Sequence, residues 1–221
     1  MKKIMFNDKY GLTQAVLDGR KTMTRRIVNT FDIPIDEMRV SSDGTCKYKD
    51  PLNGFWYDCE KQSQPKFFLF EEIAIAQNYK DAGWDANTLQ EAYVKTPTIF
   101  PDLDEYEKMS GIIDLPFKYH KGWNNKMFVK ADLMPHAIEI TDIKVERLQD
   151  ISEEDCLKEG IETWESPYYL EPCYRLPIVG DKVISYIKPR EAFAFLINKV
   201  SGKGTWQSNP WVYAYEFKLV K

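Results

Sequence analysis

The chain is poor in histidine, has no cysteines at metal-ligand spacing, and carries no long apolar run. Only two histidines stand among 221 residues, and Cys46, Cys59, Cys156 and Cys173 form no C-x-x-C pair. Zinc binding is therefore not expected, nor is a disulfide framework in a chain of this length. His136 and Glu139 make one isolated H-x-x-E, but the alternation around them reads as strand and puts them on opposite faces, so no metal site is expected. No apolar stretch approaches the ~18 residues of a membrane span, and M-K-K-I-M-F-N-D meets charge before a signal-type core can form. The expectation is a cytoplasmic protein with no membrane partner. G-x-G-x-x-G is missing too. G-K-G-T at 202–205 lacks the spacing of a phosphate loop and follows a helix, so it reads as a turn. Two histidines and no nucleophile-elbow sequence leave Ser/His/Asp catalysis little support. No cofactor is expected, and there are no internal repeats.

What is present is the composition of a folded domain, 43% apolar and 14% aromatic, and the length suits a single domain over 1–221. Charge is unevenly spread. Lys2, Lys3, Lys9, Arg20, Lys21, Arg25 and Arg26 against Asp8 and Asp18 give the first 26 residues +5, so the remainder carries −9 to reach the net −4. The densest stretch runs from Leu17 to Arg26. A concentrated positive site on an acidic protein suits an anion, phosphate above all. The competing reading is a solvated basic turn paired with nearby carboxylates.

In chain order, 3–6 is a short strand. Asn7 or Asp8 is placed to cap a helix carrying Leu12, Ala15 and Val16, and Gly19 stops it. Lys21, Thr24 and Arg25 share a side if the next turn is helical, and Thr22, Thr24 and Arg26 do so if it is extended. Segments 29–69 and 80–125 read as insertions, the first irregular and the second with one short helix and an acidic patch at Asp102, Asp104, Glu105 and Glu107. Between them Ile73–Ala76 is a buried strand, with Gln77 and Tyr79 at its C-terminal end, a common address for binding groups. Ile138 and Ile140 alternate on one parity, Ile143 and Val145 on the other, which predicts a β-bulge near Thr141–Asp142. Ser152 caps a helix with Glu153, Glu154 and Asp155 in its first turn, and Gly160 ends it. Val183–Ile187 reads as a strand. Pro189 opens a helix that Gly202 ends, and 211–219 is a half-buried closing strand with an aromatic face. Trp206 and Trp211 read as core or lid packing before a base-stacking surface. Short strands with about three short helices and no β-α-β rhythm favour an α+β fold built as a small mixed barrel.

G-R-K-T-M-T-R-R resembles the G-x-K-x-x-x-x-R signature of ASCH domains through Gly19, Lys21 and Arg26. The resemblance continues in I-A-I-A-Q at 73–77, in the passage from Ile140 to Ile161, and in N-P-W-V-Y-A-Y-E-F at 209–217, about half the chain. These blocks look like the longer ASCH proteins of phages and their hosts. The resemblance implies a PUA-like β-barrel whose cleft is lined by the basic motif, with RNA or a nucleotide as ligand. The residues expected to line it are Gly19, Arg20, Lys21, Thr24, Arg25, Arg26, Gln77 and Tyr79. One branch of ASCH proteins hydrolyses the acyl amide of N4-acetylcytidine. Similarity to that branch makes Lys21 the base and Thr24 the nucleophile of an amidohydrolase, the alternative function. In that branch a strand-end Glu completes the site. Gln77 stands there in this chain and cannot relay a proton. A protein-interaction module using the acidic insertion is the second alternative.

Overall fold

A computed structural model describes residues 1–30, 35–95, 120–165, 171–176 and 184–220. The acidic patch from Asp102 to Glu107 and the expected strand start at Val183 lie outside the described residues. In chain order the elements are β1 (Lys2–Ile4), α1 (Leu12–Leu17), β2 (Met23–Ile27), β3 (Glu37–Val40), β4 (Cys46–Lys49), β5 (Trp56–Asp58), β6 (Glu72–Ile75), α2 (Ala86–Lys95), β7 (Ala137–Arg147), α3 (Glu153–Lys158), β8 (Glu162–Trp164), β9 (Cys173–Arg175), β10 (Ser185–Tyr186), α4 (Pro189–Val200), α5 (Thr205–Ser208) and β11 (Trp211–Leu219). The fold is mixed α+β. Among the described residues the strand ladders stay open and close into no barrel, and no helix is long and apolar enough to cross a membrane.

The chain divides into two compact units, Met1–Phe6 with Ile73–Ala137, and Asn7–Glu72 with Ile138–Val220. In the first, β1 and β6 pair in parallel, Lys2 opposite Ile73 and Ile4 opposite Ile75. Ile73 to Ala76 are fully buried, as a continuous apolar strand should be. Ala74, Ala76, Tyr79, Leu89, Val129, Leu133 and Met134 form the core of this unit. Gly122 is needed there, because a Cβ would fall 2.6 Å from the Tyr79 ring.

The second unit is organised on β11, which pairs antiparallel with β7 on one side and β2 on the other. It is central in the sheet and buried on both faces, Val212 and Ala214 as fully as Tyr213 and Tyr215, which corrects the expectation of a half-buried strand. The register of β7 skips Thr141. Asp142 opposes Glu216 while Ile140 opposes Phe217, so the bulge falls where the parity slip predicts. Directly opposed residues share a face. Ile138, Ile140, Ile143 and Val145 therefore all lie on the side of Tyr213, Tyr215 and Phe217, and Glu146 lies on the other. The tyrosines are anchored: the Tyr213 hydroxyl donates to the Ser63 carbonyl at 2.6 Å, and the Tyr215 hydroxyl accepts from the Lys66 N–H at 3.0 Å.

Two further expectations need correction. Segment 29–69 is not irregular: β3, β4 and β5 form an antiparallel meander. Neither Asn7 nor Asp8 caps α1. Gly11 occupies that position at φ 62°, without a side-chain cap, and Asp8 instead accepts from the Thr13 hydroxyl. The other helix ends behave as read. The Ser152 hydroxyl accepts from the Asp155 N–H at 3.0 Å, and Pro189 opens α4.

Candidate functional site

Gly19 sets the direction of the basic motif. At φ +72° it takes the left-handed turn that other residues resist. Its N–H donates to the Val16 carbonyl at 3.0 Å and the Arg20 N–H to Ala15 at 2.9 Å, the paired bonds of a Schellman stop. The chain leaves α1 extended, and β2 begins at Met23. Consecutive side chains then diverge. Thr24 opposes Tyr215 and Arg26 opposes Tyr213, so both lie on the tyrosine side, while Arg25 opposes Ala214 on the other. The alanine leaves room for a guanidinium to cross the strand.

Arg25 uses that room. Its Nη2 donates to Glu146 Oε1 at 2.6 Å and Asp155 Oδ2 at 2.9 Å, its Nε to Glu146 Oε1 at 3.0 Å, and its Nη1 to Glu159 Oε1 at 3.2 Å. The Phe193 ring lies 5.9 Å from the guanidinium carbon. Lys21, only 2% exposed, meets the same Glu159. Its Nζ donates to Glu159 Oε2 at 2.6 Å, to the Glu159 carbonyl at 2.8 Å and to the Met23 carbonyl at 2.7 Å. A lysine ammonium has three hydrogens, and these three acceptors take them. Gly160 (φ +99°) takes the left-handed turn that carries the chain over the lysine stem, where an added Cβ would make only an ordinary contact, 3.5 Å from Lys21 Cβ.

Burial and charge pull these groups in different directions. Burial pushes the Lys21 amine below its ordinary 10.5, against the attraction of Glu159. Arg25 is pushed above its ordinary value: burial opposes the shift, and Glu159, Glu146 and Asp155 together outweigh it. Burial holds the half-buried Arg26 guanidinium below its ordinary value, although Glu159 and Tyr215 favour its charge. The cluster is a buried ionic network. Such networks owe their geometry to hydrogen bonding, because Coulomb attraction alone rarely repays desolvation.

Of the residues expected to line a cleft, Lys21 and Arg25 converge on one carboxylate, and Thr24 and Arg26 share the tyrosine face. Arg20 is on the surface, bonded to Glu162 at 2.6 Å and Asp18 at 2.9 Å. Gln77 and Tyr79 belong to the first unit. Tyr79 is fully buried and its hydroxyl accepts from the Lys130 N–H at 2.8 Å, while Gln77 Oε1 is buried without a hydrogen-bond partner among the described residues. Sequence reasoning missed Glu159, Glu146 and Asp155. The visible signal was a carboxylate next to the helix-stopping Gly160, which read only as part of a helix end. Among the described residues no three His, Cys, Asp or Glu side chains are grouped to hold a metal ion.

No protein-family model, curated protein or solved structure matches the chain. Resemblance to ASCH domains therefore rests on the sequence blocks quoted above.

Proposed function

We propose that the chain is a PUA-like, ASCH-type module that binds a single nucleotide or nucleoside in preference to a long RNA. The carrying observation is the charge balance around the motif. Arg20, Lys21, Arg25 and Arg26 are met by Asp18, Glu146, Asp155, Glu159 and Glu162, so the four cations carry no surplus over five carboxylates. A polyanion needs an extended unbalanced surface. A compact ligand with one anionic group, or none, does not. Arg20 and the half-buried Arg26 are the motif cations that reach the surface and are proposed to meet the ligand, while Thr24, Tyr213 and Tyr215 are buried behind them. The test is titration with nucleosides, mononucleotides and RNAs of increasing length at several salt concentrations. Monomers should bind with a salt slope of about one charge or less, and lengthening the RNA should gain nothing. Affinity that climbs with length and collapses with salt would overturn the reading.

A second reading is favoured by one distance, the 2.6 Å between Lys21 Nζ and Glu159 Oε2. Glu159 offers Lys21 the carboxylate that Gln77 cannot be. In amide hydrolysis Thr24, on the tyrosine face in this structure, would turn toward Lys21 and its hydroxyl would attack the acyl carbon of N4-acetylcytidine. Lys21 in its neutral form would take the proton and pass it to the departing amine, and water would then release acetate from Thr24. On this reading the native chain turns over N4-acetylcytidine slowly, and Glu159→Gln lowers the rate by about 10²-fold or more. Turnover untouched by Glu159→Gln and Thr24→Ala would remove it.

A further inference from the structure

Cys46 and Cys59 stand apart from the ionic cluster, and both are buried free thiols of the second unit. They face each other across the β4–β5 hairpin. Lys47 opposes Asp58, so the next step of the register opposes Cys46 to Cys59, and the Cys59 N–H donates to the Cys46 carbonyl at 2.9 Å. Opposed residues of an antiparallel pair stand roughly 4.5–5.5 Å apart at Cα, inside the roughly 4.4–6.8 Å that a disulfide spans. Directly opposed residues share a face, so the two side chains lie on the same side of the hairpin. Gln64 fixes both backbones: its Oε1 accepts the Cys46 N–H at 2.6 Å and its Nε2 donates to the Cys59 carbonyl at 2.7 Å. A single carboxamide so closes the end of the ladder and holds the two cysteines in register.

A route from outside reaches one of them. Cys59 lines a small, partly open cavity together with Asn29, Met38, Tyr48, Asp58 and Glu60. The two carboxylates there disfavour an anionic oxidant and leave a neutral one unopposed.

We propose that Cys46 and Cys59 form a dithiol that a neutral hydroperoxide closes, reversibly, to a disulfide. The site is independent of any function of the basic motif. One sulfur of the pair, as its thiolate, attacks a peroxide oxygen. The O–O bond breaks, and the leaving hydroxide takes up the thiol proton as water. The partner sulfur then attacks the sulfenic sulfur, the S–S bond forms, the S–O bond breaks, and a second water leaves. Two thiols supply two electrons to one hydrogen peroxide. Cys59 keeps the Cys46 thiol below its ordinary 9.0 while its own thiol is held above that value. Cys46 therefore supplies the thiolate the first step needs, and Cys59, on the cavity wall, is the neighbour past which the peroxide reaches it.

The test treats the full chain with hydrogen peroxide, quenches it, alkylates under denaturing conditions without reductant, and maps the peptides by mass spectrometry. Cys156 and Cys173 should remain alkylatable, and a linked pair of peptides lighter by two hydrogens should join Cys46 to Cys59 and vanish after dithiothreitol. In Cys46→Ser and in Cys59→Ser the link should be lost, and the remaining thiol should be trapped by dimedone as a sulfenic acid. Four alkylatable cysteines after a peroxide dose that fully oxidises free cysteine would overturn the proposal. So would a link through Cys156 or Cys173, or one formed only after circular dichroism shows unfolding. If either serine variant fails to fold, the peptide map of the native chain decides alone.

Discussion

Lys21 reads on the sequence as a surface cation and is a core residue in the structure. Replacing it is therefore not a mild change. Lys21→Met removes one partner from a buried pair and leaves the Glu159 carboxylate to Arg25 alone. A loss of about 3 kcal/mol is expected, the low end for broken buried pairs because Arg25 still compensates. Urea unfolding measures it, and a loss within about 0.5 kcal/mol, the usual surface range, would show that the pair does not form. The same lysine has a pH signature. Its folded pKa lies below the ordinary 10.5, so between the two values the unfolded chain holds a proton that the folded chain has released. Unfolding free energy then rises with pH through that interval. Wild type should gain stability relative to Lys21→Met as pH approaches 10.5 from below. A difference that stays constant or shrinks would contradict the burial-driven shift.

At the scale of elements, the glycine stops and the Ser152 cap were the most legible features, whereas the cap read at Asn7 or Asp8 fell instead to Gly11. Gly19→Ala should cost about 1–2 kcal/mol, since an L side chain at φ +72° meets its own backbone, and Gly19→Asn should cost less. Ser152→Ala should cost about 1 kcal/mol through the lost bond to the Asp155 N–H. Thermal or urea unfolding reads both, and equal losses for alanine and asparagine at Gly19 would rule out the left-handed stop as the cause. The Thr141 bulge, the Pro189 start and the buried strand at Ile73 were equally readable, because each rests on local sterics or on a parity that short windows reveal. The β3–β5 meander was not. Strands of three or four residues, such as Trp56–Asp58 and Glu37–Val40, are too short to establish a period of two. Ionic partners were hidden for a different reason. Glu159 and Arg25 are 134 residues apart, and nothing local in either one's surroundings names the other.

For the whole molecule, charge decides what it ignores as well as what it holds. A net −4, with the basic motif neutralised by its own carboxylates, leaves little to attract a polyanion at a distance. The chain should pass through a heparin column with little retention even at low salt. Elution only at high salt would reveal an unbalanced basic surface and return long RNA to first place. The two scales meet here, since the residue network that buries Lys21 and Arg25 is also what removes their field from the surface.

The extra residue at Thr141 acts as a phase adjuster between two halves of one strand. Upstream, Ile138 and Ile140 set one phase; downstream, Ile143 and Val145 keep to the same face because Thr141 bulges out of the register, and in regular alternation through Thr141 they would exchange faces with Glu146. Pairing this one exposed threonine into the ladder, as an inserted neighbour would force, would invert everything from Asp142 to Arg147, turning Glu146 away from Arg25 and presenting Ile143 and Val145 to the charged side, whereas excising it would only straighten the strand. A single inserted residue at the surface would thus be felt as a transposition in the interior, the spatial counterpart of a reading-frame error.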